Sequence, residues 1–196
     1  MGFVLASASP RRRELLKKVV DSFEVDAATG EERADASLSP SALVRFLATQ
    51  KAREVAAKSE HAKKAVLGAD TVVVYNGEVL GKPKDGEDAK RMLRLLSGKQ
   101  HSVLTGVCLI DACGKEHIVY AETKVFFEPF SEAFIERYVA SGSPLDKAGA
   151  YGIQDGVPVK KIEGSFDNVV GLPTELLREL VGLCGIAVTQ EKEKEE

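Results

Sequence analysis

The stretch FVLASASPRRR at residues 3–13 decides the fold class, because it joins an apolar strand to a capped helix. Phe3-Val4-Leu5-Ala6 is a short continuous apolar run, which is typical of a buried strand. Ser9 can cap a helix whose first residue is Pro10, where proline is favoured because the first helical N–H needs no partner. The apolar residues predicted to share one face of this helix are Leu15, Leu16, Val19 and Val20.

The same alternation of strand and helix signals continues along the chain and predicts a mixed α/β domain. Each further element is bounded by a cap or a turn residue. They are a helix from Ser39-Pro40 to about Lys58, a strand region at 66–74, a hairpin turn at Asn76-Gly77 before a strand at 78–80, a helix from Asp85 to Gly98, a β-ribbon of 102–110 and 118–127 turning at Cys113-Gly114, a helix from Ser131 to Gly142, and a helix from Pro173 to about Cys184.

The composition is that of a soluble globular protein. Of 196 residues, 44% are hydrophobic and 29% are charged, and no repeat or flexible linker divides the chain. We therefore expect one domain over residues 1–188 and a disordered charged tail over 189–196. The net charge of -3 argues against a globally basic nucleic-acid binder.

No apolar run approaches the roughly 20 residues that span a bilayer, and the N-terminus lacks the pattern of a signal peptide, so a cytoplasmic location is expected.

The cysteines and histidines indicate neither a disulfide framework nor a metal site. Cys108, Cys113 and Cys184 are odd in number and lack the C-x-x-C spacing of zinc sites, so free thiols are expected. His61, His101 and His117 have no spacing suited to metal binding or to a nucleophilic triad. We expect His101 to pack or to form a local hydrogen bond, and His61 to lie in a lysine-rich helix end.

The turn Ser7-Ala8-Ser9-Pro10-Arg11-Arg12-Arg13 is the first candidate site. Backbone N–H groups and partial positive charge at a helix N-terminus, together with hydroxyls and guanidinium groups, converge on an anion such as a phosphate. The alternative is an ordinary Ser-Pro cap followed by solvated arginines.

Asp70 is the second candidate, because it interrupts a hydrophobic stretch at a predicted strand end. A carboxylate there loses hydration unless it is paired or binds a metal, so it is a candidate metal ligand or general base. A structural capping role is the alternative. Glu31-Glu32 could supply a second carboxylate or could belong to a solvated loop.

Two lysines and one glycine-containing loop complete the candidates. Gly81-Lys82-Pro83 does not fit a Walker motif, because proline stands where a hydroxyl should bind magnesium. Lys82 and Lys51 could each contact a phosphate or be surface lysines. The loop 146–154, DKAGAYGIQ, suggests a backbone that approaches something closely, or a tight structural loop. Gln154 within it can donate to and accept from a base edge.

Seven short motifs follow one another in order along nearly the whole chain: SASPRR at 7–12, QKA at 50–52, GADT at 68–71, GKP at 81–83, MLxxLSG at 92–98, DKAGAYGIQ at 146–154 and NVVGLP at 168–173. Their order and spacing resemble those of the Maf family of nucleoside triphosphate pyrophosphatases. The resemblance implies an α/β fold like that of the inosine triphosphate pyrophosphatases, with a mixed sheet, flanking helices and a cleft between two lobes. It also implies metal-dependent hydrolysis of a nucleoside triphosphate to the monophosphate and pyrophosphate.

Carried over motif by motif, the resemblance makes Asp70 the catalytic proton acceptor or a ligand of magnesium or manganese, and Glu32 a second metal ligand. Many relatives have Asp-Glu at the positions of Glu31 and Glu32. The glutamate at the second position of this pair, Glu32, is therefore the same in this chain. The residues expected on the triphosphate side are Ser7, Ser9, Arg11, Arg12, Arg13, Lys51 and Lys82.

The resemblance further implies a preference for dTTP and UTP. The set Arg12, Thr71 and Gln154 is similar to that of the dTTP/UTP branch, whereas the branch that prefers other bases tends to carry Gln after the aspartate and Glu in the later loop. Thr71 and Gln154 can hydrogen-bond the edge that thymine and uracil share, and cytosine reverses the donor pattern at two positions of that edge.

Two other classes of function stay open. The first is a nucleotide-sensing regulator of cell division or septum formation, in which binding matters more than turnover. The second is a nucleic-acid-binding module, which Arg11-Arg12-Arg13 and Lys63-Lys64 would favour and the acidic balance opposes. The expected partner is a small-molecule nucleotide, without nucleic acid or membrane, and homodimerisation is an expectation from the family.

Overall fold

A computed structural model of the chain describes residues 2–31 and 37–189. Its strands are β1 (Phe3–Leu5), β2 (Glu24–Val25), β3 (Ala65–Tyr75), β4 (Glu78–Leu80), β5 (Gln100–Ile110), β6 (Glu116–Phe127) and β7 (Val159–Glu163). Its α-helices are α1 (Pro10–Leu16), α2 (Pro40–Ala56), α3 (Gly86–Leu96), α4 (Glu132–Ala140), α5 (Phe166–Val170) and α6 (Thr174–Leu183). Short 3-10 turns cover Ser59–His61, Ser143–Asp146, Ala148–Ala150 and Ile153–Asp155.

The strands form one mixed sheet in the order β2-β1-β3-β5-β6-β7, with β4 paired to β3. β1 runs parallel to β2 and β3, and the other pairs are antiparallel. The predicted mixed α/β fold is therefore confirmed. None of the described helices is long and apolar enough to cross a membrane.

Polar caps set the starts of the main helices as the sequence predicts. The side chains of Ser9, Ser39, Asp85 and Ser131 each accept a hydrogen bond from the backbone N–H three residues later. These bonds satisfy one of the helix donors that have no partner within the helix. The predicted helix starts are confirmed at these four positions.

Three details differ from the sequence predictions. Asp70 does not end a strand, because β3 runs unbroken past it and pairs with β5 over residues 66–74. α1 ends at Leu16, so Val19 and Val20 are buried in the turn that follows it. β2, β7 and α5 are too short to show a hydrophobic period, and the sequence pattern did not predict them.

The long strands β3, β5 and β6 carry two separate apolar cores on one face of the sheet. The first core joins the start of β3 to α1 and α6, with Leu16, Leu67 and Leu177 fully buried. The second joins the end of β3 to α3 and α4, with Leu93 and Ile135 among its buried side chains. The two cores define the two lobes that the family resemblance implies.

Helix α2 covers the opposite face of the sheet and approaches it closely at two glycines. Gly68 on β3 lies against the backbone of Ala48 and Ala52, and Gly106 on β5 lies against the backbone of Val44. A Cβ at Gly106 would overlap the Val44 carbonyl group, and a Cβ at Gly68 would overlap the Ala48 carbonyl oxygen. Both strands therefore need glycine there for the helix to reach its place.

The histidines behave partly as expected. His101 is buried, and its Nε2 lies 2.7 Å from the Tyr151 hydroxyl. Burial lowers the pKa of His101 to about 4, so this ring is neutral near pH 7. His61 lies just beyond the end of α2, in the 3-10 turn that follows it, where it is 5% exposed and places Nε2 2.8 Å from Asp26. The cysteines are free thiols.

Residues 190–196 lie outside the described part of the chain, so the charged tail stays a prediction. Thr189, the first residue assigned to that tail, donates its N–H to the Val19 carbonyl group at 2.8 Å. Its own carbonyl group accepts a hydrogen bond from Arg178.

Replacing Gly106 with alanine should destabilise the protein by roughly 3 kcal/mol, because the new methyl group must push α2 off the sheet. Urea unfolding followed by circular dichroism measures this loss. The matched control is Gly182→Ala, because a Cβ at Gly182 in α6 meets no atom within 4 Å. That variant should keep or raise the stability. Equal stability of the Gly106→Ala variant and the unchanged protein would contradict the close contact.

Candidate active site

A gap in the edge of the sheet creates the main cleft. β1 pairs with residues 65–67 of β3 and β4 pairs with residues 73–75, so in the described sheet residues 68–72 pair with neither on that side. A cleft of about 700 Å³ opens at this gap and extends between the two lobes. Asp70, at the centre of the gap, lines the cleft and is 8% exposed.

The turn between β1 and α1 forms one wall of the cleft. Ser7 and Ser9 lie at the carboxyl end of β1, where the helix N-terminus points into the cleft. Ser7 Oγ accepts hydrogen bonds from the Ser9 N–H and from Arg12 Nη1, both at 3.3 Å. This wall therefore combines backbone N–H groups, hydroxyls and a guanidinium group, which is a donor set suited to an anion.

Arg12 connects three parts of the chain at the cleft. Its Nε donates to the carbonyl oxygen of Gly171 at 2.9 Å, and its Nη2 donates to Thr71 Oγ1 at 3.0 Å. Thr71 Oγ1 in turn lies 3.0 Å from Thr105 Oγ1, which donates to the carbonyl oxygen of Asn168. These contacts hold the guanidinium group in one orientation at the sheet edge.

An ion pair between Lys51 and Asp70 forms the floor of the cleft. Lys51 Nζ lies 2.6 Å from Asp70 Oδ1, and the two side chains are only 16% and 11% exposed. Lys51 reaches Asp70 because α2 lies close to β3 at Gly68, whose contacts Ala48 and Ala52 lie on either side of Lys51 in the helix. Among the described residues, the hydrogen bonds to Asp70 involve Oδ1, which leaves Oδ2 available to the cleft.

The second lobe supplies the opposite wall. Lys82 lies in the turn after β4, and Asp146 and Lys147 lie in the loop of 3-10 turns. Arg11 Nη1 of the first lobe donates to Asp146 Oδ2 at 3.0 Å, and Lys147 Nζ donates to Asp146 Oδ1 at 2.9 Å. Burial is the largest single influence and raises the pKa of Asp146, but the hydrogen bonds from Lys147 and Arg11 together hold it below its usual value.

The loop that carries Gln154 is anchored on both sides. Gly149 has a positive φ of 67° and packs against the Val73 side chain, so the predicted close approach of this backbone is to β3. The Tyr138 hydroxyl donates to Asp155 Oδ2 at 2.6 Å and accepts the Gly152 N–H at 2.9 Å. Burial and the Asp155 carboxylate raise the pKa of Tyr138, so its hydroxyl keeps the proton that it donates.

The structure brings most of the predicted site residues to one cleft. The predicted residues that line it are Ser7, Ser9, Arg11, Arg12, Lys51, Asp70, Thr71, Lys82 and Gln154. Arg13 does not join them, because it is exposed on another face of α1. Glu32, the predicted second metal ligand, lies outside the described residues.

Sequence reasoning missed three groups that line the cleft: Asp146, Lys147 and the backbone at Gly171. Asp146 and Lys147 lie inside the loop 146–154, whose glycines predict a close approach of the backbone. Nothing in the sequence shows that the charged residues of this loop face Arg11. The Gly171 carbonyl oxygen could not be found from residue type, because it acts through the backbone.

This fold and cleft define a class of α/β protein that offers several cations and two carboxylates to a small anionic molecule at the carboxyl end of a parallel strand. The chain belongs to the Maf family: the family described as "Maf-like protein" matches residues 2–183.

Several similar proteins bear one name. A dTTP/UTP pyrophosphatase from Agathobacter rectalis is 47% identical over 94% of this chain and 98% of its own length. Proteins of the same name from Pelotomaculum thermopropionicum and Moorella thermoacetica are 46% and 49% identical, each over 94% of this chain and 97% and 96% of their own lengths.

Solved structures share the fold at low sequence identity. The Ham1 protein of Staphylococcus aureus matches with a TM-score of 0.53 and 12% identity, over 93% of this chain and 98% of its own. A HAM1 protein from Coxiella burnetii matches with a TM-score of 0.51 and 17% identity, over 93% of this chain and 99% of its own. These likenesses show the fold alone.

Replacing Tyr138 with phenylalanine should loosen the Gln154 loop, because it removes the hydrogen bond to the Gly152 N–H and leaves Asp155 with only the Ser143 hydroxyl as a hydroxyl donor. We expect a loss of about 1–3 kcal/mol in unfolding free energy and faster hydrogen exchange at the Gly152 amide. Tyr120→Phe is the control, since Tyr120 is 42% exposed on β6. Unchanged exchange at Gly152 in the Tyr138→Phe variant would show that the hydroxyl does not hold the loop.

Proposed function

We propose that this protein hydrolyses nucleoside triphosphates, dTTP and UTP foremost, to the monophosphate and pyrophosphate. The observation that carries the proposal is the arrangement around Asp70, a carboxylate at the floor of a cleft whose walls are lined by cations from both lobes. The names of the similar proteins support the same activity.

The triphosphate would bind between the two lobes. Arg11 and Arg12 approach from the first lobe and Lys82 and Lys147 from the second. Cations on both sides of the triphosphate can neutralise its charge and hold it in line with the attacking water. Charges and dipoles fixed in this way lower the activation barrier, because they stabilise the negative charge that develops in the transition state. The backbone N–H groups at the start of α1 add further donors.

Asp70 would act at the α-phosphorus. Water attacks this atom, the bond from the α-phosphorus to the bridging oxygen breaks, and pyrophosphate leaves with that oxygen. The proton lost by the water has an acceptor in Asp70, whose side chain lines the cleft. Lys51 lies on Oδ1 of the same carboxylate at 2.6 Å and so orients it, and its ammonium group can also donate to a bound phosphate.

The described residues fit a divalent cation of the magnesium or manganese type. Such cations prefer oxygen ligands, and magnesium is commonly held by one or two protein carboxylates together with substrate phosphates. Asp70 provides one carboxylate beside the proposed phosphate site, and Glu32 is the proposed second ligand. When bound, the cation supplies positive charge to the phosphate oxygens as the bond breaks.

Base selection is proposed for Arg12, Thr71 and Gln154. Arg12 and Thr71 are already hydrogen-bonded to each other at 3.0 Å, so the groups are pre-oriented before any ligand binds. Gln154 is exposed at the mouth of the cleft on an anchored loop. An amide and a hydroxyl can match the acceptor-donor-acceptor edge of uracil and thymine, which cytosine does not present. A cytoplasmic location and a homodimer stay predictions.

Replacing Asp70 with asparagine should lower kcat for dTTP by roughly 100-fold or more, because the amide cannot accept the proton and binds a cation poorly. Pyrophosphate release measured with magnesium or manganese gives the rate, and isothermal titration of the nucleotide gives the affinity. Asp146→Asn is the control, since Asp146 lines the same cleft but contacts cations of the walls.

The two readouts also separate turnover from sensing. Full activity of Asp70→Asn would overturn the assignment of Asp70. Tight nucleotide binding without turnover in the unchanged protein would instead favour a nucleotide sensor that regulates cell division.

Replacing Gln154 with alanine should raise KM for dTTP and UTP about tenfold and reduce discrimination against CTP, since each lost hydrogen bond to a base edge contributes roughly 1–1.5 kcal/mol. The measurement is kcat/KM for dTTP, UTP, CTP and GTP. Gln100→Ala, an exposed glutamine on β5, is the control. An unchanged ratio of dTTP to CTP would show that Gln154 does not read the base.

A further inference from the structure

A second cluster of chemically active side chains lies outside the cleft. Asp111, His117 and Cys184 each offer one ligand atom, and these atoms all lie within 4.8 Å of one another. Asp111 follows β5, His117 lies near the start of β6, and Cys184 ends α6. Asp111 and His117 lie six residues apart on one hairpin, Cys184 comes from a distant part of the chain, and none of the three lines the cleft.

The cluster is well separated from Asp70 along the sheet. Asp70 pairs with Gly106 on β5, and Asp111 comes five residues later on the same chain. At about 3.3 Å per residue, the two sites are about 17 Å apart along the strand. A ligand at the cluster therefore cannot be the cation proposed for the cleft.

The carboxylate of Asp111 is held in position by its own turn. Its Oδ1 accepts the backbone N–H groups of Cys113 and Lys115, at 2.9 and 3.0 Å. This leaves Oδ2 directed at His117 Nε2, 3.0 Å away. In metal sites the ligating carboxylates are likewise hydrogen-bonded by neighbouring groups that orient them.

Cys184 is fixed by the way α6 ends. Gly185 has a positive φ of 67°, the Ile186 N–H bonds to the Val181 carbonyl oxygen, and the Gly185 N–H bonds to the Gly182 carbonyl oxygen. This pair of bonds is the Schellman motif, with Cys184 at the last position of the helix. The thiol is thus carried by rigid backbone next to the Asp111 turn.

We propose that Asp111, His117 and Cys184 form a binding site for a transition-metal cation of the zinc type. The donor set of one carboxylate oxygen, one imidazole nitrogen and one sulfur is the set that zinc and cobalt bind, whereas magnesium prefers oxygen alone. Three protein ligands leave a fourth position of a tetrahedron open to water. The side chains of Asp111 and His117 are 17% and 18% exposed, which gives a cation access to them.

The bound cation would join the β5–β6 turn to the end of α6. Ligand atoms about 2.0–2.3 Å from one cation lie about 3.3–3.8 Å apart, which is compatible with three ligand atoms that lie within 4.8 Å of one another. A cation that binds only the folded protein stabilises it, and here the stabilisation would appear in the first lobe.

The test uses cobalt as the probe on the full chain after metal removal, with excess magnesium present to occupy oxygen sites. One equivalent of cobalt should bind and give a thiolate-to-cobalt charge-transfer band together with the intense visible bands of a four-coordinate ion. Cys184→Ser should abolish the charge-transfer band. His117→Gln should weaken cobalt binding at least tenfold.

Cys113→Ser is the matched control, because this exposed cysteine lies in the same turn and its sulfur is outside the cluster. This variant should keep the band and the affinity. Zinc should also raise the thermal midpoint of the unchanged protein and of Cys113→Ser but not of Cys184→Ser, whose circular dichroism without metal checks its fold. Absence of the band in the unchanged protein, or its loss in Cys113→Ser with retention in Cys184→Ser, would overturn the proposal and leave an ordinary His117–Asp111 pair.

Discussion

The close approach of α2 to the sheet at Gly68 and Gly106 is the constraint on which the rest of this structure depends. Because both positions lack a side chain, the backbone of the helix lies directly on β3 and β5. This contact brings Lys51 to Asp70 and sets the depth of the cleft floor. A helix at ordinary distance from the sheet would leave the carboxylate buried without a partner, which is costly.

The cleft follows from where the neighbouring strands stop. β1 ends after three residues and β4 begins only at residue 78, so among the described strands none pairs with the middle of β3 on that edge. The start of α1 and the loop 143–155 approach this open edge from the two lobes. Arg11 and Asp146 meet across the opening, which shows that the lobes are close enough to enclose one small anionic molecule.

The two proposed metal sites lie apart in the fold. The cleft offers carboxylate oxygen beside cations, which suits magnesium or manganese together with a triphosphate. The cluster at Asp111, His117 and Cys184 offers sulfur and nitrogen, which suits a zinc-type cation. Their separation along β5 means that each can be studied by variants that leave the other intact.

The amino-acid sequence by itself determined the α/β class, the four capped helix starts and nine of the residues that line the cleft, because caps, periods and ordered motifs are local signals. Only the tertiary structure decided that Asp70 lies in the middle of β3. It also decided that Lys147 lines the cleft whereas Arg13 does not, and that Cys184 lies beside His117. These placements depend on strand pairing and helix packing between residues far apart in the chain. Spacing along the sequence carries no record of such contacts, so the cluster that brings Cys184 to Asp111 and His117 could not be seen in it.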